Sequence, residues 1–313
     1  MWTAKAPSNI ALIKYMGKQE DNIPCNVSLS YTLDGFSTEV WLDLNEKSDE
    51  FINNTLSENE KNRFLNHLSY IKNLLRFDGF FCVHSANSFP KSAGIASSAS
   101  SFAALTTCAF KAISDVKGIE MPSSEYMSKV SRVGSGSSCR SFFSPWCIWE
   151  GESAKKIDLP IKIEHELILI NSGKKEISSS EAHRRVQTSS LMQGRAQRAK
   201  SRCEKLISAF ENGKWSEAYQ ICWEEFQDMH ALFETSCPHF GYILPETLGA
   251  LIKIRKFWKN HNDGPIVTLD AGPNIHLLWK KCDKQLRKLF DEEYGFQKFP
   301  FHGLDCNFST PNL

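Results

Sequence analysis

The chain has 313 residues, 37 basic against 36 acidic side chains and a formal net charge of +1. That length supports one large domain or two medium ones around an apolar core. The balanced, interspersed charge gives no electrostatic case for nucleic acid or a membrane surface.

The ten cysteines, at 25, 82, 108, 139, 147, 203, 222, 237, 282 and 306, form no C-x-x-C pair. That argues against a zinc cluster or a redox dithiol and suits a reducing cytosol. The first residues, "MWTAKAPSNIALIKYMGK", hold only a short apolar core flanked by lysines, with no signal-cleavage site after it. No stretch approaches the length needed to cross a bilayer, so a soluble cytoplasmic protein is expected.

Taken in chain order, "PSNIALIKYMGK" reads as a buried strand entering a turn. "CNVSLSYTLD" and "FSTEVWLDL" alternate apolar and polar residues, as antiparallel strands with one wet face do. "SENEKNRFLNHLSYIKNLL" spaces its apolar residues helically behind a serine and a glutamate, a capped helix. "GFFCVHSANS" is a strand leading into "SFPKSAGIASSASSFAAL", which turns helical. "EYMSKVSRVGSGSSCRSFF" reads as a helix interrupted by small residues, and "SPWCIWEG" returns to strand. From about Lys162 the pattern restarts. A strand "ELILINSG" precedes a long polar helix from "SEAHRRVQ" to "CEKLISAF", and then "KWSEAYQICWEEFQDMHALF". A helix through "LPETLGALIKIRKFWK" and strands "PIVTLDAG" and "IHLLW" follow. The pattern predicts an α+β, two-lobed protein with lobes 1–165 and 166–313.

Four stretches carry chemistry. In "FPKSAGIASSAS" a helix start is crowded with small residues. The first turn of a helix has free N–H groups and the positive end of the macrodipole, so small side chains there admit a phosphate. The same residues also suit a helix packed tightly on a sheet. There is no G-K-[ST], which excludes a Walker loop. In "SRVGSGSSCRS" two glycines each cost roughly 1 kcal/mol of helix stability, which implies close approach by something. Arg140 follows them as a planar grip for a carboxylate or phosphate, or as a surface arginine on a turn. Asp270 ends an apolar strand before Gly-Pro, either presenting a carboxylate or bonding its own turn. Lys14 and Lys18 close the first strand beside Tyr15, as ligand cations or as solvated side chains.

Together these stretches resemble the GHMP superfamily of small-molecule kinases, whose P-x-x-x-G-[LI]-x-S-S-A loop is matched throughout by "PKSAGIASSA". Within it, "APSNIALIKYMGK", "FPKSAGIASSAS", "GSGSSCRS" and "LDAGPN" are similar, in order and separation, to the diphosphomevalonate decarboxylase family. The resemblance runs from Ala6 to about Trp279. It implies a two-lobed fold: an N-terminal lobe like ribosomal protein S5 domain 2, and a ferredoxin-like C-terminal lobe. It implies ATP with Mg²⁺, mevalonate 5-diphosphate as substrate and a homodimer.

By that resemblance Ser92, Ala93, Gly94, Ile95, Ala96, Ser97 and Ser98 hold the ATP phosphates. The turn Tyr15, Met16, Gly17, Lys18 holds the substrate diphosphate, with Lys61 and the stretch Ser135, Gly136, Ser137, Ser138, Cys139. Arg140 grips the substrate carboxylate, and Lys14 stands between the γ-phosphoryl and the reacting hydroxyl. Asp270 faces that hydroxyl, as a proton acceptor or as a counter-charge to the tertiary carbon. A phosphomevalonate decarboxylase, a mevalonate-type kinase and a catalytically silent relative are the alternatives.

Two departures stand out. Met16 replaces the aromatic of the usual "KYWGK". Ala182 and His183 fall where the family has Gly-Met after paired serines, leaving His183, Arg184 and Arg185 either as substitute phosphate contacts or as a solvated helix face.

Overall fold

The computed structural model describes residues 1–52, 56–89, 97–171, 173 and 176–299. Strand β1 (Trp2–Ile13) and the long β2 (Ser28–Asn45) pair antiparallel, from Trp2 opposite Leu42 to Ile13 opposite Leu29. Between Pro7 and Ser8 the partner jumps from Ser37 to Leu33. Proline has no N–H to give a ladder, so an irregularity is tolerated there. "CNVSLSYTLD" and "FSTEVWLDL" are therefore not two strands: they are the two ends of β2, and the residues between them sit opposite that slip. The other edge of β2 is shared. Strand β4 (Phe80–Asn87) pairs with its second half and β5 (Trp146–Glu150) with its first; β3 (Glu50–Phe51) and β6 (Ser153–Ile157) close the two ends.

Helices α1 (Glu58–Leu74), α2 (Ser97–Lys117) and α3 (Ser124–Gly134) share a core with the β4 side of this sheet. The predicted cap of α1 is present: the Ser57 N–H and hydroxyl both donate to Glu60 Oε2, at 2.9 and 2.7 Å. Helix α2 carries Ala99, Ala103, Ala104 and Ala112, all fully buried, and packs on β1 and β2, where Ser100 reaches Ser8 and Thr38. A short 3-10 turn, Gly136–Phe142, links α3 towards β5.

The second sheet has the order β10-β7-β9-β8, all antiparallel, from β7 (Ile163–Ile168), β8 (Ile266–Leu269), β9 (Ile275–Lys280) and β10 (Lys298–Phe299). The single polar helix expected after β7 is broken into α4 (Ser179–Arg185) and α5 (Arg195–Glu211). Two 3-10 turns and Gly194, at φ +74°, separate them. Helices α6 (Trp215–Glu234), α7 (Pro245–His261) and α8 (Lys284–Tyr294) complete the chain. The largest core joins both sheets: Ile10, Leu12, Leu29 and Trp146 pack in one cluster with Leu206, Phe226, Ile254 and Leu277.

A charged network crosses that junction. Arg195 of α5 and Glu225 of α6 are both fully buried and paired, and Arg195 Nη1 also reaches Asp228 Oδ2 at 3.0 Å. Arg198 and Arg202 close on the same Asp228. The network holds the backbone of Lys14 at the end of β1. Its N–H donates to Glu225 Oε1 at 2.9 Å, and its carbonyl accepts from Arg195 Nη2 at 3.3 Å and from Asn26 Nδ2 at 2.8 Å.

Removing one member of a buried pair leaves an uncompensated charge, which costs far more than losing an exposed pair. Arg195→Met is expected to lower the unfolding free energy by about 3–5 kcal/mol. Lys214→Met, which breaks the exposed Lys214–Glu217 pair, should change it by less than about 1 kcal/mol. Urea denaturation of the two variants checks the contrast.

Candidate active site

Lys14 and Asp270 each follow the last residue of a strand, β1 and β8 respectively. The two strands run close enough for Thr268 Oγ1 to donate to the Ala11 carbonyl at 3.4 Å, so their ends arrive together. There Lys14 Nζ meets Asp270 Oδ1 at 2.8 Å. The Lys14 side chain is 2% exposed and that of Asp270 26%, so the pair is sealed from the lysine side and open from the aspartate side. The side-chain hydrogen bond of Asp270 goes to Lys14 and not to its own turn. The turn is fixed by other means: the Gly272 N–H donates to the Asp270 carbonyl, and Asn274 Oδ1 accepts from the Ile170 and Asn171 N–H groups.

Burial alone would raise the Asp270 carboxyl pKa. Lys14, His276 and Arg140 outweigh it and hold the group well below the ordinary carboxylate range. Burial lowers the Lys14 pKa, and Arg140 adds to that effect while Asp270 opposes it. The two directions are compatible: the pair is ionised, and its ammonium gives up a proton more readily than a free lysine does.

Arg140 is 5% exposed and donates from Nη1 to Ser28 Oγ at 2.7 Å, with its guanidinium 5.9 Å from the centre of the Trp149 ring. Its Nε has no hydrogen-bond partner among the described residues. It is a buried arginine with donors to spare, not a surface residue on a turn. The glycines before it are explained by protein side chains. A Cβ on Gly134 would lie 2.3 Å from Phe102, and one on Gly136 would lie 2.5 Å from Tyr15 Oη. The stretch Ser135–Cys139, expected to bring backbone groups and hydroxyls to a diphosphate, turns two of its side chains inward. Ser138 Oγ donates to the Ser135 carbonyl at 2.6 Å, and Cys139 Sγ donates to that of Gly136. Ser138 is fully buried, so the reading of its hydroxyl as a contact is corrected. Ser137 is partly exposed, and its carbonyl accepts from Asn9 Nδ2.

Gly17, at φ +85°, turns the chain so that Lys18 faces Asn22 Oδ1 at 2.7 Å. Only glycine adopts that φ without strain. Tyr15 packs against Trp149 and His183, with ring centres 4.6 and 4.4 Å away. Met16 points the other way, into an apolar cluster with Ala182, Val186, Met229 and Phe233. It fills space between the lobes, as a flexible side chain does.

Lys61 does not join this group. It pairs with Glu58 on the outer turn of α1 at 2.8 Å. The cation of α1 whose charge reaches Lys18 is Arg63, two residues on, and with burial it lowers the Lys18 pKa. Arg63 also lines a cavity of ≈ 360 Å³ with Ser85, Asn87, Phe89, Ser97 and Ser98. Ser97 and Ser98 thus face open space at the start of α2, whereas Ser100 is buried against Ser8 and Thr38. The close-packing reading of the small-residue helix holds for the Ser100 face. Ser92, Ala93, Gly94, Ile95 and Ala96 lie outside the described residues.

Of the three basic residues of α4, Arg184 and Arg185 are tied to Glu181, and Arg184 is 75% exposed. His183 alone turns inward, 8% exposed, and accepts the Gly17 N–H on Nδ1 at 3.1 Å.

Glu225, Arg195, Arg63, Asn26, Ser28 and His276 were not singled out in the sequence. For Glu225 a signal existed. It sits among Ile221, Cys222, Phe226 and Met229, the buried stripe of α6, and a carboxylate there demands a buried partner.

The chain is similar throughout to proteins of one kind. The model of a diphosphomevalonate decarboxylase-like N-terminal domain matches residues 6–158, and that of a mevalonate 5-diphosphate decarboxylase C-terminal domain matches 167–298. Diphosphomevalonate decarboxylase of Homo sapiens is 30% identical over 87% of this chain and 75% of its own length. That of Debaryomyces hansenii is 29% identical over 97% and 87%. Among solved structures, a mevalonate diphosphate decarboxylase from Legionella pneumophila superposes with a TM-score of 0.91 at 44% identity, covering 95% of this chain and 99% of that one. MDDEF in complex with MVAPP, AMPPCP and magnesium superposes with a TM-score of 0.85 at 31% identity, covering 95% and 93%. With both halves matched by the family's own models and the likeness carried along nearly the whole length, the chain belongs to the diphosphomevalonate decarboxylase family.

Proposed function

We propose that this protein uses ATP to convert mevalonate 5-diphosphate to isopentenyl diphosphate, ADP, phosphate and carbon dioxide, with Asp270, Lys14 and Arg140 as its catalytic residues. The observation that carries the reading is the ionised Asp270–Lys14 pair at 2.8 Å, open on the aspartate side and within the field of a buried Arg140 that has an unpartnered N–H. The related MDDEF bound to MVAPP, AMPPCP and magnesium supports the substrates.

In this reading Asp270 accepts a hydrogen bond from the 3-hydroxyl of the substrate and aims its oxygen at the γ-phosphorus of ATP. Its strongly lowered proton affinity makes it a poor base, so the hydroxyl proton passes to an oxygen of the phosphoryl group as the new O–P bond forms and the bond to ADP breaks. The sequence left two roles open for Asp270, and this favours the counter-charge to the carbon that loses phosphate. Lys14 meets the negative charge of the phosphoryl group in transfer. Arg140 holds the substrate carboxylate, keeping it from Asp270 and aligning the C–C bond with the departing phosphate. As that bond breaks, its electron pair becomes the new C=C bond and carbon dioxide leaves. Tyr15, Lys18 and Arg63 hold the diphosphate. The cavity over α2 would take ATP: serine hydroxyls and Arg63 line it for the phosphates, beside Glu60 and three phenylalanines. Mg²⁺ bound with ATP would supply neutralisation of phosphate charge. Ser97 and Ser98, on the lining of that cavity, are the described residues whose hydroxyls would hold it together with the phosphates. The reading also includes lobes 1–165 and 166–313, a cytoplasmic location and a homodimer.

Incubation with ATP, Mg²⁺ and mevalonate 5-diphosphate should release ADP and carbon dioxide in equal amounts. ADP without carbon dioxide would make the protein a kinase, and turnover of the monophosphate alone would change the substrate. Asp270→Asn should lower kcat by about 10³-fold while substrate binding, followed by calorimetry, changes little.

The pH profile gives an independent check. Because the Lys14 pKa lies below its usual 10.5, rising pH removes this ammonium early, and kcat should fall on the basic side below that value. Because the Asp270 pKa is lowered, its protonation cannot produce an acid limb above pH ~4. Arg140→Gln removes a charge that lowers the Lys14 pKa, so the basic limb of its residual activity should move to higher pH.

A further inference from the structure

We infer that His183 gives the substrate a neutral hydrogen-bond donor, its Nε2–H, aimed at an oxygen of the diphosphate. This rests on the reading above, in which the turn carrying Tyr15 and Lys18 holds that group.

The argument begins with a tautomer. A backbone amide can only donate, and the Gly17 N–H donates to His183 Nδ1 at 3.1 Å. Nδ1 must therefore offer its lone pair, which leaves the proton of the neutral ring on Nε2. The ring stays neutral. Burial, then the charges of Lys18 and Arg140, push its pKa down to about 3. Nε2 lies on the far side of the imidazole from Gly17, and it has no hydrogen-bond partner among the described residues. Although the residue is only 8% exposed, Nε2 is not sealed off among the described residues, so the donor is open to an approaching acceptor.

What surrounds the ring points to the missing acceptor. One face packs on Tyr15, with centres 4.4 Å apart, and the two charges felt most strongly are Lys18 and Arg140. These three residues are the proposed contacts for the anionic ends of the substrate. An N–H that lacks a protein acceptor, within the field of two cations and on a ring packed against Tyr15, fits a phosphate oxygen. Arg184 and Arg185, the charged neighbours of His183, are both engaged by Glu181. A neutral donor suits this place, because a third cation beside Lys18 and Arg140 would be repelled whenever the site held no anion.

Two substitutions separate this role from simple support of the turn. In His183→Asn the amide oxygen falls near the position of Nδ1 and keeps the Gly17 bond, while the distal donor is lost. In His183→Gln the amide NH₂ reaches the position of Nε2, and the acceptor for Gly17 is lost. Binding of mevalonate 5-diphosphate, measured by calorimetry without ATP, should weaken about tenfold in His183→Asn and stay within about threefold of wild type in His183→Gln. KM for the diphosphate should follow the same order, with KM for ATP and kcat nearly unchanged in both. A His183→Asn protein that binds as tightly as wild type overturns the inference. So does a His183→Gln protein weakened as much as His183→Asn, which would mean that the ring only supports Gly17. A wild-type protein that does not bind the diphosphate overturns the proposed function as well, so the two failures are told apart by the wild-type measurement.

Discussion

Lys14 is a buried ammonium whose anion lies 256 residues away in the chain, and most of the site is arranged to make that position tenable. A lone buried charge would lose its proton or unfold its surroundings. Here the side chain is met by Asp270, while the backbone on either side of it is gripped by Glu225, Arg195 and Asn26. The grip matters because a side chain is no better placed than the backbone that carries it. Glu225 and Arg195 come from helices of the second lobe, whereas β1 belongs to the first sheet. The same atoms that hold the lobes together therefore set where the ammonium points.

The constraint also accounts for the shape of the core. Among the described residues β1 pairs only with β2 and β8 only with β9, so each is an edge strand of its sheet. The cluster containing Ile10, Leu12 and Leu29 continues into Phe226, Val267 and Leu277, which brings the ends of these two edges together. Apolar burial supplies the attraction between the lobes without direction. The charged network supplies the register, since Glu225 can satisfy both Arg195 and the Lys14 amide in one arrangement.

How much of this the sequence disclosed depended on whether a signal was local. The α1 cap, the strand before α2, the small residues of α2 and the Asp-Ala-Gly-Pro turn are all readable because a few neighbouring residues determine them. The slip at Pro7 was not readable as a bulge. Two alternating segments joined by Asp-Gly look like a hairpin, and only the pairing of both with β1 makes them one strand. The break between α4 and α5 was missed for a related reason: helical spacing continues through it, and Gly194 at positive φ is a tertiary choice. In the site, Lys14, Arg140 and Asp270 were legible as residue types in matching motifs. Lys61 pairs with Glu58 while the charge of Arg63, two residues on, reaches Lys18, and only the rotation of α1 decides such a difference.

The glycines of "GSGSS" show the limit of reading chemistry from small residues. Their conformational cost correctly implied a close approach, but the visitors are Phe102 at Gly134 and Tyr15 at Gly136. Tyr15 can lie flat across Gly136 only because no Cβ intervenes. That position sets it between Trp149 on one side and His183 on the other. His183 in turn grasps the amide of Gly17, whose positive φ aims Lys18. Two glycines, one in each wall of the pocket, thus fix a tyrosine, a histidine and a lysine by what they leave out. Small residues at such a site need not touch a ligand to be required by it. They act on the larger side chains around them.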